Sequence, residues 1–405
     1  MRFLLFLALL LLLLSPAAAS GEGTAILLRP DRVFDGVDPR PHEGWAVLVR
    51  GERIEAVGPA LTAPPGARVI DLPGTTLMPG LIEGHSHLFL HPYNETSWDD
   101  QVLKEPEALR TARAVNHARA TLMAGFTTIR DLGTEGAGYA DVGLKQAIEQ
   151  GIIPGPRMLI ATRSLVATGS YGPKSADPLF AAKGAEEADG AGLVAAARRQ
   201  MGAGADVVKL YGDYRWRPGE ESRPTYSEAE IRAVVEAAHA AGRTVSVHAS
   251  TPEGMRRAIV AGADTIEHGN GGTPEIFRLM RERNVAFCPT LAATDAISRY
   301  RGWNGQAPEP AGVTEKRASF AAALAARLDG VSSGPDADSS RGPVVLAPGE
   351  AKGLEFDSVL VVDPRRVLDE GVRGHNDLYV ALTRATQRLG VLSPGDLPAE
   401  LARLA

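Results

Sequence analysis

Five side chains that can bind a metal ion lie at or near the ends of short apolar runs. They are His85, His87, Lys209, His248 and His268. His85 and His87 are two residues apart, and alternate residues of a β-strand share a face, so both imidazoles can point to the same place. Taken alone, such a pair is more often two ordinary surface histidines. The pair therefore indicates a metal site only if other ligands join it.

Lys209 and the two later histidines are the other candidate ligands. Lys209 lies inside the apolar run Val207–Tyr211, where burying a lysine is costly unless it is paired or chemically changed. His248 and His268 each end an apolar run, although a single histidine in that place is more often a hydrogen-bonded core residue. Counted from His87, the candidates follow at intervals of 122, 39 and 20 residues. Because catalytic side chains of parallel-stranded barrels lie at strand ends, this spacing favours one shared centre.

Alternating strand-like and helical segments begin at Leu81. There are seven strand-like runs. The first ends at His85, and the other six are Phe126–Asp131, Arg157–Ala161, Val207–Tyr211, Thr244–His248, Asp264–Glu267 and Val285–Pro289. Helical stretches between them include Glu107–Met123, Gly192–Met201, Ser227–Ala241, Glu253–Val260 and Glu275–Arg283. This alternation predicts parallel strands with right-handed crossovers. A doubly wound sheet is the alternative, but it usually carries a Gly-rich loop after an early strand. Here the early strand ends in His-x-His, which favours a (β/α)8 barrel.

The predicted barrel, residues 81–326, has no eighth strand in the expected place. The helix Glu315–Ala326 should precede that strand, but an Asp- and Ser-rich linker, residues 327–343, follows it instead. We therefore predict a truncated barrel with one unpaired edge, which favours association or misfolding.

Residues 1–19 are predicted to be a cleaved secretory signal peptide. Arg2 precedes an apolar run, Phe3–Leu14, and three alanines end the segment. The apolar run is too short to span a bilayer, although an uncleaved anchor is the alternative. We expect a secreted or periplasmic protein that has no membrane attachment after cleavage.

Residues 20–80 contain short strand-like pieces separated by Gly, Pro and Asp turns. The pieces are Ala25–Leu28, Trp45–Val49, Arg53–Val57, Val69–Leu72 and Thr75–Met78. They predict a small β-sandwich or meander that precedes the barrel.

Composition limits the classes of function. A chain of 405 residues is long enough for one barrel with a satellite domain, or for two or three ordinary domains. A net charge of −6 gives no overall attraction to nucleic acid, and we expect no such partner. The single cysteine, Cys288, excludes an internal disulfide and a cysteine-rich metal site.

Residues from about 24 to 326 resemble the amidohydrolase superfamily, in its imidazolonepropionase- and prolidase-like branch of Xaa-Pro dipeptidase type. The similar segments are Met78–His87, Ala124–Asp131, Ala167–Pro173 and Ile266–Gly269, together with Lys209 and His248. The resemblance implies a hydrolase of amide or other C–N bonds. Its expected substrates are small amides such as dipeptides, N-acyl amino acids or related cyclic amides. Two bound divalent metal ions would activate water for this reaction.

The resemblance also implies a role for each ligand. His85 and His87 would hold the first divalent ion and His248 and His268 the second, while Lys209, carboxylated on its amine, would bridge them. Zinc fits imidazole and oxygen ligands. In the family, an Asp at the end of strand eight moves the proton.

The catalytic Asp of strand eight has no counterpart in register. Asp336 and Asp338 are the only nearby candidates, and no hydrophobic strand precedes them. A general base must be held within hydrogen-bond reach of its proton. We therefore expect turnover to be impaired.

Two tyrosines are candidate substrate contacts. Tyr171 lies in the loop after the third strand, in a segment that lies near the substrate carboxylate in prolidase-like relatives, and loops commonly carry such contacts. Tyr211 is two residues beyond Lys209 and faces the same way. A turn tyrosine without a ligand is the alternative for either one.

The C-terminal part, residues 327–405, resembles superfamily I helicases of the UvrD type, and the helicase-like α/β fragment itself spans residues 344–405. Residues 344–363 are similar to helicase motif V and residues 379–385 to motif VI. By that resemblance, Arg384 would contact the γ-phosphate of ATP. No GxxxxGK[ST] loop occurs in the chain, so we expect no ATP site. The chain is interpreted as a fusion, either natural or produced by sequence misassembly, that is joined near Ala326.

Three hypotheses follow. The first is a metal-dependent amidohydrolase, which can form homo-oligomers. The second is a catalytically dead metal-binding remnant, because the barrel is incomplete. The third, an ATP- or nucleic-acid-binding helicase relative, rests on the tail alone.

Overall fold

The protein is described here by a computed structural model, in which two compact units divide at Leu81. The structure describes residues 24–38, 40–173, 184–306 and 308–327, short stretches at 332–333, 344–345, 356–362, 364–369 and 385–392, and residues 378 and 401. Within these stretches, no helix combines the length and the apolar character that crossing a membrane requires. The predicted signal peptide, residues 1–19, lies outside the described residues.

The N-terminal unit contains one mixed sheet. Its strands are β1 (Ala25–Val33), β2 (His42–Glu43), β3 (Trp45–Arg50), β4 (Arg53–Pro59) and β5 (Arg68–Leu77). Strand β1 pairs antiparallel with β2 and β3, and β3 pairs antiparallel with β4. The predicted pieces Val69–Leu72 and Thr75–Met78 form one strand, β5. Because β5 pairs in parallel with β1, the predicted alternative of a simple meander is wrong for this sheet. A second sheet packed against this one, as in a sandwich, stays a prediction.

The second unit contains all seven predicted strands. They are β6 (Leu81–Ser86), β7 (Phe126–Asp131), β8 (Arg157–Ile160), β11 (Val207–Tyr211), β14 (Thr244–Ala249), β15 (Thr265–His268) and β16 (Ala286–Cys288). Four short strands were not predicted: β9 (Leu165–Val166), β10 (Glu186–Glu187), β12 (Asp213–Tyr214) and β13 (Arg223–Pro224). The sheets run β6-β7-β8 and β10-β9-β11-β14-β15-β16. Neighbours from β11 to β16 pair in parallel, as alternation of strand and helix predicts.

Helices connect these strands. They are α1 (Trp98–Lys104), α2 (Glu107–Met123), α3 (Ala140–Glu149), α4 (Gly190–Ala203), α5 (Glu228–Ala240), α6 (Pro252–Ala261), α7 (Pro274–Glu282), α8 (Leu291–Tyr300) and α9 (Ala311–Arg327). Several begin at strong capping residues. Ser227 and Glu230 form a capping box at α5, and Thr251 and Thr273 cap α6 and α7 directly before a proline. Apolar faces of α4 to α7 pack on β11, β14, β15 and β16 to form the largest core cluster among the described residues.

The two larger sheets of the second unit share polar contacts. The Asp206 amide donates to the Ile160 carbonyl at 2.8 Å, which links β8 to the residue before β11. From β7, Arg130 donates to the Gly84 carbonyl, to Ser246 and Thr265 in β14 and β15, and to Glu267. Side chains of β7, β14 and β15 therefore face a common interior.

No described strand extends the sheet beyond β16. After α9, strand β17 (Ser332–Ser333) pairs only with β18 (Val344–Val345) among the described residues. Further on, β19 (Phe356–Val362) and β20 (Ala385–Leu392) pair in parallel, with α10 (Pro364–Asp369) between them in sequence. Among the described residues, no strand pairs with β16 on the side away from β15, and the truncation of the barrel stays a prediction.

Candidate metal centre

His85 and His87 face each other at the end of β6. Their Nε2 atoms are 3.2 Å apart. His85 Nδ1 lies 2.7 Å from the Glu267 carboxylate, and His87 Nδ1 lies 2.9 Å from the Gly133 carbonyl. Both of these partners only accept hydrogen bonds, so each Nδ1 carries the proton and each Nε2 keeps a lone pair. Two lone pairs cannot hydrogen-bond to each other, and this arrangement therefore fits a cation that both nitrogen atoms bind.

His248 and His268 lie beside the first two rings. The His268 ring centroid is 4.8 Å from that of His85 and 4.6 Å from that of His248. Because β14 and β15 are adjacent parallel strands, their carboxyl ends lie side by side. His268 Nδ1 is 2.8 Å from the Thr290 hydroxyl, whereas His248 Nδ1 is buried without a hydrogen-bond partner. The structure thus brings the four predicted histidines together.

Lys209 extends from β11 into the same interior. Its side chain is fully buried, and Nζ has no hydrogen-bond partner among the described residues. Burial lowers the pKa of Lys209 to about 8, although the Glu267 carboxylate opposes that effect. A buried lysine with no partner is costly. The residue therefore fits a site that supplies an additional group, such as a carbon dioxide adduct or a metal ion.

Burial keeps the imidazoles neutral. It lowers the pKa of His85, His248 and His268 well below its ordinary value, and the positive charge of Lys209 adds to the effect in each case. The pKa of His87 is lowered by burial too, but the carboxylate of Glu135 opposes that change. Neutral imidazoles retain the lone pair that metal binding requires. The donor set of these residues therefore fits divalent cations.

Glu267 is a site residue that sequence analysis missed. Its buried carboxylate accepts hydrogen bonds from His85 Nδ1, from Arg130 at 2.8 Å and from the Thr265 hydroxyl at 2.6 Å. The one available signal was a glutamate directly before His268 in an apolar run. Cys288 also lies close, since one ligand atom from each of His85, Glu267 and Cys288 falls within 4.8 Å of the others. Burial raises the pKa of the Cys288 thiol to about 11, which keeps it protonated.

The two predicted substrate-contact tyrosines lie together. The hydroxyls of Tyr171 and Tyr211 are 3.1 Å apart. The Tyr211 ring stacks on His248 with a centroid distance of 4.5 Å, which places the tyrosines next to the histidines. Their common partner is Glu135, which sequence analysis also missed: Tyr171 donates to its carboxylate at 2.7 Å and Tyr211 at 3.4 Å.

Buried polar side chains hold the loops that carry this site. Asp131 accepts the amide of Leu88 at 2.7 Å and that of Gly133 at 3.3 Å, which fixes the chain directly after His87. Burial raises the pKa of Asp131 well above its ordinary value. On the far side of the site, Lys316 in α9 donates to the His268 carbonyl at 2.7 Å.

Three predicted residues lie outside the described part of the chain. They are the proton-transfer candidates Asp336 and Asp338 and the helicase-like Arg384. Their predicted roles stay predictions.

Several known hydrolases are similar to this chain. Ochratoxinase from Aspergillus niger is 29% identical over 250 residues, which cover 56% of this chain and 50% of that protein. A prolidase solved with N-methylphosphonate-L-proline is 28% identical, with a TM-score of 0.63 and coverage of 90% of this chain and 86% of that one. A Xaa-Pro dipeptidase solved with bound methionine is 25% identical, with a TM-score of 0.63 and coverage of 80% and 79%. The chain spans about half the length of the curated relatives it matches.

Two families match the sequence itself. Residues 275–393 match the viral superfamily 1 RNA helicase core domain, in agreement with the helicase-like motifs of the C-terminal part. Residues 76–309, which are more than half of the chain and carry all five candidate ligands, match the amidohydrolase family. This chain therefore belongs to the amidohydrolase family.

Proposed function

We propose that this protein is a metal-dependent amidohydrolase that cleaves the C–N bond of small amides, such as dipeptides or N-acyl amino acids. The observation that carries the proposal is the convergence of four neutral imidazoles and one unpartnered buried amine at neighbouring strand ends. Small-molecule substrates are consistent with the prolidase, dipeptidase and ochratoxinase relatives. No nucleic acid is needed as a partner.

The proposed architecture is a (β/α)8-type barrel that lacks its eighth strand. The contacts of Arg130 support it, because they join β6 and β7 to β14 and β15 across one interior. Strands that contact each other in this way, with their carboxyl ends at one mouth, give the arrangement in which barrel enzymes place their sites. The unpaired edge at β16 allows contact with a second copy of the chain.

Each ligand has a proposed place in the mechanism. His85 and His87 would hold one divalent ion, His248 and His268 a second, and Lys209, carboxylated on Nζ, would contact both. When bound, two such ions, which we propose are zinc, polarise a carbonyl and lower the pKa of water. The lowered pKa of Lys209 supports its carboxylation, because a neutral amine is the form that reacts with carbon dioxide. Carboxylation also replaces the buried lysine cation, which is costly, by an anion that the two metal ions would neutralise.

The protein's other side chains would bind and orient the substrate. Tyr171 and Tyr211 present rings and hydroxyls beside His248 and would contact the substrate near the scissile bond. Among the described residues, no strand pairs with β16 where strand eight would lie, and the candidates Asp336 and Asp338 lie outside those residues. If no carboxylate is held at the end of an eighth strand, proton delivery to the leaving nitrogen lacks a fixed acid, and turnover should then be slow. The predicted signal peptide supports a location outside the cytoplasm.

Metal analysis combined with amide hydrolysis tests the proposal. The purified full-length protein should contain up to two zinc equivalents per chain, and bicarbonate labelled with ¹³C should give a carbamate signal that is absent from Lys209→Met. Hydrolysis of dipeptides and N-acyl amino acids should be lost on chelation and restored by zinc. Tightly bound metal without any hydrolysis would favour a catalytically dead remnant, and absence of metal would refute the site itself.

A further inference from the structure

Glu135 is a buried carboxylate surrounded by aromatic donors. Its side chain accepts hydrogen bonds from the Trp98 indole at 3.1 Å, from the Tyr171 hydroxyl at 2.7 Å and from the Tyr211 hydroxyl at 3.4 Å. The residue as a whole is only 3% exposed. These donors come from α1, from the loop after β9 and from β11, so separate parts of the unit converge on one carboxylate.

The backbone of Glu135 is held in a strained conformation. Its φ of +48° lies in the left-handed region, which is uncommon for a residue with a side chain. The buried Arg110 guanidinium donates to the carbonyls of Glu135, Thr134 and Phe89 and fixes the loop in this shape. Such strain persists where the surroundings over-determine it, and it is concentrated at functional sites.

The charge of Glu135 has no ion-pair partner among the described residues. Its three donors are neutral, and Arg110 directs its hydrogen bonds to backbone carbonyls instead. Burying an unpaired carboxylate is costly. A carboxylate has about four lone-pair directions, so three neutral donors leave it able to accept another hydrogen bond.

Three tyrosine rings, which form the tyrosine wall, lie between Glu135 and the candidate metal centre. The rings of Tyr171, Tyr211 and Tyr214 contact one another at centroid distances of 4.6 to 5.7 Å. Tyr211 and Tyr214 both contact the His248 ring, at 4.5 and 5.9 Å. Aromatic faces attract cations, and the effect grows where water is excluded. A carboxylate behind these rings strengthens the attraction for a positive group and repels a negative one. Because the hydroxyls of Tyr171 and Tyr211 already donate to Glu135, the substrate carboxylate expected near Tyr171 from the prolidase-like resemblance does not fit at this surface.

We propose that Glu135 determines substrate specificity by favouring amides that carry a protonated amine, such as a dipeptide with a free amino terminus, over N-acylated ones. The inference rests on the proposed amidohydrolase function and narrows its substrate class. The ammonium group would lie against the tyrosine wall, where the field of Glu135 stabilises it.

A matched substrate pair tests this specificity. Alanylproline and N-acetylalanylproline share the scissile bond and the carboxylate but differ in the positive charge. The metal-loaded protein should hydrolyse the free dipeptide with a kcat/KM about tenfold higher, which is the size of one charge-assisted contact. Glu135→Gln should bring the ratio close to one, and Glu135→Asp, which keeps the charge, should retain the preference. Glu149→Gln removes an exposed carboxylate and should behave as the parent protein.

Several outcomes would overturn the inference. Equal rates for the two dipeptides in the parent protein would do so, as would an unchanged preference in Glu135→Gln. A loss of bound zinc in that variant without a change in the ratio would assign the carboxylate to the metal centre instead. If neither dipeptide is hydrolysed, the proposed function fails, and calorimetric binding of benzylamine and benzyl alcohol decides the specificity. About tenfold tighter binding of the amine, lost in Glu135→Gln, supports it, and equal binding overturns it.

Discussion

Glu267→Gln should weaken metal binding by changing which nitrogen of His85 carries the proton. Oε1 of Glu267 accepts from Arg130 and Thr265, whereas Oε2 accepts from His85 Nδ1 at 2.7 Å. In the glutamine variant, the two donors at Oε1 select the carbonyl oxygen for that position, so the amide NH2 faces His85. Two donors cannot face each other at this distance, and His85 must move its proton to Nε2. Nε2 would then have no lone pair to offer a metal.

The size of the effect follows from the role of Glu267. Side chains that orient a metal-binding histidine contribute about 10- to 100-fold to metal affinity, which corresponds to about 1.4 to 2.8 kcal/mol. The fold should tolerate the change better than a truncation. The glutamine carbonyl still accepts from Arg130, although the buried ion pair between Arg130 and Glu267 is lost.

Zinc affinity and histidine tautomers check this prediction. Competition with a chelator should give a zinc dissociation constant about 10- to 100-fold higher for Glu267→Gln. The ¹⁵N shifts of His85 in the metal-free protein should change from a proton on Nδ1 to one on Nε2. Glu253→Gln is the matched control, because it also removes a carboxylate bonded to arginines, Arg256 and Arg257, but at the surface. Unchanged zinc affinity together with the parental tautomer would refute the reasoning.

Three other predictions concern single side chains. His268→Ala removes one imidazole lone pair and should lower the bound metal per chain in elemental analysis; an unchanged stoichiometry would show that His268 is not a ligand. Burial raises the pKa of Asp141 from 3.8 to about 7, so its proton stabilises the fold fully below about pH 4. That contribution, about 4 kcal/mol, is lost as the pH rises to about 7. Urea unfolding of Asp141→Asn should show a flatter pH dependence over this interval, and parallel curves would contradict the assignment. Lys316→Met leaves the His268 carbonyl without its donor and should lower the free energy of unfolding by about 1 to 3 kcal/mol in the same assay; an unchanged value would show that this bond does not stabilise α9.

The convergence of the candidate ligands was predictable from chemical pattern. A histidine or lysine at the end of an apolar run conflicts with burial, and that conflict is visible in the sequence for His85, Lys209 and His248. The strands themselves are short apolar runs bounded by turn residues, so all seven were predictable within a few residues. Strand β9 was missed because it has only two residues and forms through its parallel neighbour, β11.

Sequence alone determined which residue types reach the strand ends, because local hydrophobic patterning fixes each strand and the face of each side chain. It also predicted, from the Asp- and Ser-rich segment after Ala326, that the barrel lacks its eighth strand, and this stays a prediction. Only the tertiary structure decided which groups orient those residues. Glu267 is 182 residues from His85, and Glu135 is 36 and 76 residues from its tyrosines. Their roles depend on hydrogen bonds a few ångströms long between distant segments, and such contacts exist only once packing has brought the segments together.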